Sequence, residues 1–190
     1  MKKMPRIDST APTPEAVIDA TTQWLERAVI GLNLCPFAKA VHVKKQIRFE
    51  VSKAISAQEL IHDLIRELGL LATTSPEVVE TTLLILPLML DDFLDYNHFL
   101  SIANGVLEEL NLVGEIQIAS FHPQYQFAGT QSDDIDNYTN RSPWPILHLL
   151  REESMNSAVA AFPEAEKIFE KNIETLQRLG HEGWNNLVDW

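Results

Sequence analysis

A chain of 190 residues, 45% of them hydrophobic, is long enough to bury one substantial core and too apolar to remain unfolded. Its formal net charge of −12 repels a phosphate backbone and argues against general nucleic-acid binding; no apolar run has the length of a bilayer span, so no membrane partner is expected. A single cysteine excludes an intrachain disulfide and any C-x-x-C pair.

Residues 1–12, "MKKMPRIDSTAP", are basic but lack the apolar stretch of a secretory signal. They are expected to be a flexible lead-in to a single domain over 13–190, located in the cytoplasm. A first helix begins at "TPEA": Thr13 is a cap, Pro14 suits the first helical position, and Glu15 favours the positive helix end. Val17, Ala20, Trp24, Leu25 and Ala28 recur at helical spacing, and Gly31 reads as the stop. In "LNLCPFAK", Pro36 opposes simple helix continuation and biases Cys35 toward extended backbone.

"KKQIRFEVS" alternates Ile47, Phe49 and Val51 with polar neighbours, a strand with one wet face. Lys39, Lys44, Lys45, Arg48 and Lys53 face only Glu50 there, five cations against one anion, a local +4. It is either a solvated strand face or a patch that attracts an anion. Ser56 and Glu59 form a capping-box pattern ahead of a second helix striped by Leu60, Ile61, Leu64, Ile65 and Leu68. "TTLLILPLML" is a nearly continuous apolar run, the pattern of a central strand covered on both faces, with Pro87 at its end. Asp91 and Asp92 open a third helix toward Leu110.

In the third strand, "EIQIASFHP", alternation puts Ile116, Ile118, Ser120 and His122 on one side and Gln117, Ala119 and Phe121 on the other. A long loop, Pro123 to Pro145, follows, with a short helix near Asp134 to Tyr138. Its aromatic residues predict that it packs on the body. "ILHLLRE" is the fourth strand; a short helix runs to Phe162, and a last helix begins at Pro163 and ends at Gly180. Trp184 and Trp190 of the C-terminal "GWNNLVDW" dock either on this chain or on a second subunit. The element order predicts an α/β sandwich with a mixed sheet of four strands, ferredoxin-like or a related split βαβ layout.

The loop and its flanks concentrate the residues that carry chemistry. His122 stands at its entrance and His148 beyond its exit; if the third and fourth strands pair, the imidazoles can approach. Arg141, among the turn formers Asn140, Ser142, Pro143 and Pro145, is held stiffly. It suits binding of a carboxylate or phosphate, or an internal pairing with Asp133, Asp134 or Asp136. Cys35 is either a nucleophile, activated by a neighbouring cation or imidazole, or an inert buried thiol. Zinc held by Cys35, His122 and His148 is a further use of the same side chains, although they are dispersed along the chain. "SDDIDN" lacks the spacing and glycine of a calcium loop.

The stretches "GLNLCPFAKAVHV", "FHPQYQFAGT", "DNYTNRSPWPILHLLRE" and "FPEAEKIFEKNIETLQRLG" resemble an uncharacterised bacterial family, a domain of unknown function that occupies one whole short protein. The resemblance runs from Trp24 to Gly180. It departs from the family pattern at Trp144, where tyrosine is expected, and at Ile146, where threonine is expected. It implies no activity, but it groups Cys35, His122, Asn140, Arg141, His148 and Arg151 as a signature. On strand alternation Arg151 points away from His148. Two functions follow as expectations. One is an enzyme acting on a small anionic substrate, with Cys35 as nucleophile, His122 or His148 as base, and Arg141, Asn140 and Arg151 as substrate-binding residues. The other is a non-catalytic binding or interaction domain with a structural polar loop.

Overall fold

The computed structural model describes residues 11–161 and 167–187; the basic lead-in up to residue 10, Phe162 and Pro163, and Trp190 lie outside the described residues. The Thr13 hydroxyl accepts the Ala16 N–H at 3.3 Å, and Pro14 opens helix α1 (Pro14–Trp24). The ladder then widens instead of stopping, and Leu25–Ile30 is a π-helical segment. The Gly31 N–H reaches Glu26 O at 2.9 Å, and the N–H groups of Leu34 and Cys35 converge on Val29 O. A Cβ at position 31 would lie 2.2 Å from Arg27 O, so this turn requires glycine. π-Helical turns are rare and concentrate at functional positions. A short helix α2 (Ala38–Val43), which hydropathy spacing does not reveal, follows the Cys35–Pro36 turn.

Strand β1 (Ile47–Val51) leads to helix α3 (Ala57–Thr73). Ser56 caps α3 by accepting the Glu59 N–H at 3.3 Å, and the Glu59 carboxylate reaches back to the Ile55 N–H at 2.8 Å. Strand β2 (Thr81–Ile85) is buried at every position, as its apolar run predicts. Asp92 caps helix α4 (Phe93–Glu109), accepting from the Leu94 and Asp95 N–H groups. Strands β3 (Ile116–Phe121) and β4 (Ile146–Arg151) flank the long loop, whose short helix is a 3-10 segment, Ile135–Asn140. Helices α5 (Glu152–Ala161) and α6 (Ile168–Leu187) complete the described chain. The last helix does not end at Gly180. It kinks there, where φ is 66°, and continues because Trp184 is buried one turn later, edge-on to Tyr138 at 5.3 Å. Trp184 thus docks on its own chain.

The sheet is mixed, in the order β1-β2-β4-β3, with β1 parallel to β2 and β4 antiparallel to both its neighbours. A ferredoxin-like chain splits both of its βαβ units. Here β1-α3-β2 is unsplit, and only β2-α4-β3 is split, with β4 in the gap. On one face Leu84, Leu147 and Leu149 pack with α3 and α4; on the other Leu83, Ile85 and Ile146 pack with α1, the π-helical segment and α6. β2 and β4 are covered twice, which is why both read as unbroken apolar runs.

The cationic cluster seen in the sequence is partly neutralised by the fold. Arg48 binds Glu67 at 2.6 Å and Glu50 at 2.7 Å. Arg66 joins Glu50, Asp63 and Glu67 in the same network. The Glu67 side chain is 0% exposed, so losing these partners would leave a buried carboxylate without its ion pairs.

Candidate functional site

Strand register decides which side chains meet. His148 pairs with Leu83 on one side and Ala119 on the other. Its ring therefore lies on the sheet face covered by α1, over the small Ala119. A cavity of about 230 Å³ opens at this point between the sheet, α1, α2 and α5. Its floor includes Leu83, Ala119, Phe121 and His148; its helical walls include Trp24, Val29, Cys35, Val41 and Met155. Cys35 and His148, far apart in sequence, thus line one apolar chamber. Trp24 holds its wall in place: the indole packs edge-on to Phe121 at 5.2 Å and donates to Arg141 O at 2.8 Å.

The hydrogen bonds of His148 define its chemistry. The Thr81 hydroxyl lies 2.6 Å from Leu149 O, to which it donates, and 2.8 Å from His148 Nε2. A hydroxyl has one proton, so Thr81 accepts from Nε2–H, and the neutral ring carries its proton at Nε2. Burial in the apolar chamber pushes the imidazole down to about 4. Near neutral pH the ring is uncharged, with a bare lone pair on Nδ1.

Cys35 is half-buried at the start of α2. Burial pushes its thiol up, while the N–H groups of Phe37 and Ala38 hydrogen-bond to the sulfur and pull the other way; burial is the larger effect. The thiol is therefore protonated at neutral pH, unlike an activated nucleophile.

His122 does not join this site. It continues the opposite parity of β3 and is 0% exposed, between Phe93 and Tyr96 on the α4 side of the sheet. Its Nδ1 accepts the Gln124 N–H at 2.9 Å, so its Nε2 carries the proton donated to Leu90 O, also at 2.9 Å. Both nitrogens brace the backbone at the loop entrance, and burial lowers the ring's pKa. Cys35, His122 and His148 therefore do not converge on one zinc ion. Among the described residues no group of three or more His, Cys, Asp or Glu side chains is arranged for a metal.

The other signature residues also bind backbone. Asn140 donates to Ser120 O at 3.0 Å and so ties the loop to β3. Arg141 pairs with none of the three nearby aspartates. It donates to the carbonyls of Ser132 and Tyr125, and its guanidinium stacks over Tyr138 at 4.0 Å from the ring centroid. It also lines a second, more polar pocket of about 390 Å³ with Asp92, Gln124 and Gln126, which shares no lining residue with the cavity. Arg151 contributes to the cavity wall, but one of its terminal nitrogens reaches three carbonyls, those of Leu71 and Thr74 at 2.6 Å and Val79 at 3.1 Å. It clamps the end of α3, in keeping with the alternation that turns it away from His148.

A family model described as a protein of unknown function, DUF1415, matches residues 16–186. The chain belongs to that family. No curated protein and no solved structure is significantly similar to it. In this DUF1415 chain the signature residues Cys35, His148 and Arg151 line the cavity, while His122, Asn140, Arg141 and the Arg151 Nη2 bind backbone carbonyls or amides that hold the loop and the end of α3.

Sequence reasoning passed over Thr81, which sets the His148 tautomer, and Asn137, which organises the loop. Asn137 is fully buried; its Oδ1 accepts from the Phe127 N–H and the Thr130 hydroxyl, and its Nδ2 donates to Gln131 O. A threonine opening an apolar strand was the available signal for the first. Nothing local distinguishes Asn137 from the polar residues around it.

Proposed function

We propose that this chain binds a small, neutral, mainly apolar molecule in the cavity shared by Cys35 and His148. The observation that carries this reading is that shared apolar chamber beside the sheet. An apolar chamber of about 150 Å³ accepts benzene, so about 230 Å³ admits a substituted ring or a molecule of similar bulk.

Energetics favour binding over thiolate catalysis. Burial holds the Cys35 thiol above its ordinary value and the His148 imidazole down at about 4, so passing a proton from the one to the other runs strongly uphill. An anionic substrate fits poorly for a second reason: the Arg151 Nη2 is engaged by three carbonyls, and Arg141 lines the separate pocket. A neutral ligand requires neither cation.

The test uses toluene. It is expected to raise the thermal midpoint of the whole chain progressively with concentration and to change tryptophan fluorescence through Trp24. Ala119→Leu, which fills the floor beside His148, abolishes both responses while the variant stays folded. A wild-type chain indifferent to saturating toluene would remove the reading.

A further inference from the structure

We propose that His148 Nδ1 is the specificity determinant of this cavity: an acceptor-only group that selects neutral ligands carrying one O–H or N–H donor on an apolar body, such as phenols and indoles. The inference rests on the binding reading above and names the ligand class it requires.

The argument follows the protons. Leu149 O takes the only proton of the Thr81 hydroxyl, at 2.6 Å. Thr81 can then offer His148 Nε2 only a lone pair, at 2.8 Å. Nε2 must supply the proton of that bond, and a neutral imidazole has no second proton to place on Nδ1. The opposite tautomer would set two lone pairs against each other across 2.8 Å. Two backbone-anchored groups, Leu149 O and the Thr81 side chain on β2, therefore dictate the state of the far side of the ring. Among the described residues Nδ1 has no hydrogen-bond partner, and the ring lines the chamber.

Among the described residues no side chain of the lining is bonded to Nδ1. The sheet floor around the ring is Leu83, Ala119, Phe121 and Leu150. The titratable and charged groups of the chamber are Cys35, Glu80, Arg151 and His148 itself. The Arg151 Nη2 is taken by the carbonyls of Leu71, Thr74 and Val79, and the Cys35 sulfur accepts from the Phe37 and Ala38 N–H groups. A carboxylate or phosphate would bring further lone pairs to Nδ1 and gain nothing. A hydrocarbon would cover the lone pair and exclude water from it, a desolvation left uncompensated. A phenol satisfies the lone pair and fills the apolar volume with its ring.

The experiment compares p-cresol with toluene, two ligands that differ by one hydroxyl, by calorimetric titration of the full chain. It also follows the imidazole ¹⁵N signals of His148. Wild-type protein is expected to show a proton on Nε2 and a bare Nδ1, to bind p-cresol roughly ten-fold more tightly than toluene, and to shift the Nδ1 signal only with p-cresol. His148→Phe loses the preference and retains toluene. Thr81→Val, which frees the tautomer, weakens the p-cresol preference and allows benzaldehyde, an acceptor, to compete. A proton found on Nδ1 in the free protein overturns the proposal. So does equal binding of both ligands with the Nδ1 signal unmoved, which leaves the cavity reading intact. Failure of both ligands to bind overturns both readings.

Discussion

Replacing His148 with phenylalanine removes a buried base whose protonation the folded state resists, and the consequence appears in the pH dependence of stability. Burial holds the imidazole at about 4, against an ordinary 6.5. Between these values the unfolded chain takes up a proton at His148 and the folded chain does not. The favourable contribution is therefore complete above 6.5, declines as the pH falls through the window from 6.5 to about 4, and changes no further below it. Each pH unit of that window costs about 1.4 kcal/mol, about 3 kcal/mol in all. Urea unfolding followed by tryptophan fluorescence between about pH 7.5 and about pH 4.5 measures it. The carboxylates titrate in both proteins, and so does His122, which burial shifts in the same direction. The informative quantity is therefore the difference between wild type and His148→Phe. Wild type is expected to lose about 2–3 kcal/mol more than the variant across this range. Two curves that fall in parallel would mean that His148 titrates normally, and the neutral, acceptor-only ring would have to be abandoned.

Two further outcomes test other parts of the structure. Iodoacetamide should label Cys35 more slowly at pH 7 than it labels a free thiol, with the rate rising only past the ordinary 9.0, because burial outweighs the two amide hydrogen bonds. Fast labelling at pH 7 would instead reveal an activated thiolate and revive the nucleophile. Arg48→Met should cost about 2 kcal/mol in urea unfolding, because the fully buried Glu67 keeps only its 3.2 Å contact to Arg66. A change below about 0.5 kcal/mol would place this network with ordinary surface pairs.

Local chemistry was enough to read much of the fold from the sequence. Thr13, Ser56 and Asp92 cap helices because a short polar side chain ahead of a helix satisfies its first N–H groups wherever the chain lies. The unbroken apolar run of β2 required cover on both faces, and the mixed sheet provides it. The π-helical segment and α2 were not legible, since one wide turn and six residues leave no periodicity to detect. The same limit hid the continuation of α6 beyond Gly180, which depends on a distant pocket for Trp184 beside Tyr138.

For the site, the sequence alone determined which residues could do chemistry and, by alternation through β3 and one residue beyond it, that His122 opposes Ala119 and Phe121. It could not determine that Ala119 and Phe121 would share a face with His148, because both faces of β4 are apolar and alternation says nothing about which face meets which helix. Register decided that. The pairing of His148 with Leu83 and Ala119 brought the ring over the smallest side chain of β3, brought Thr81 to Nε2, and opened onto Cys35. A proton's position on a ring depends on a neighbour's one hydrogen, and that neighbour lies 67 residues away in the chain; only the folded sheet puts the two in contact.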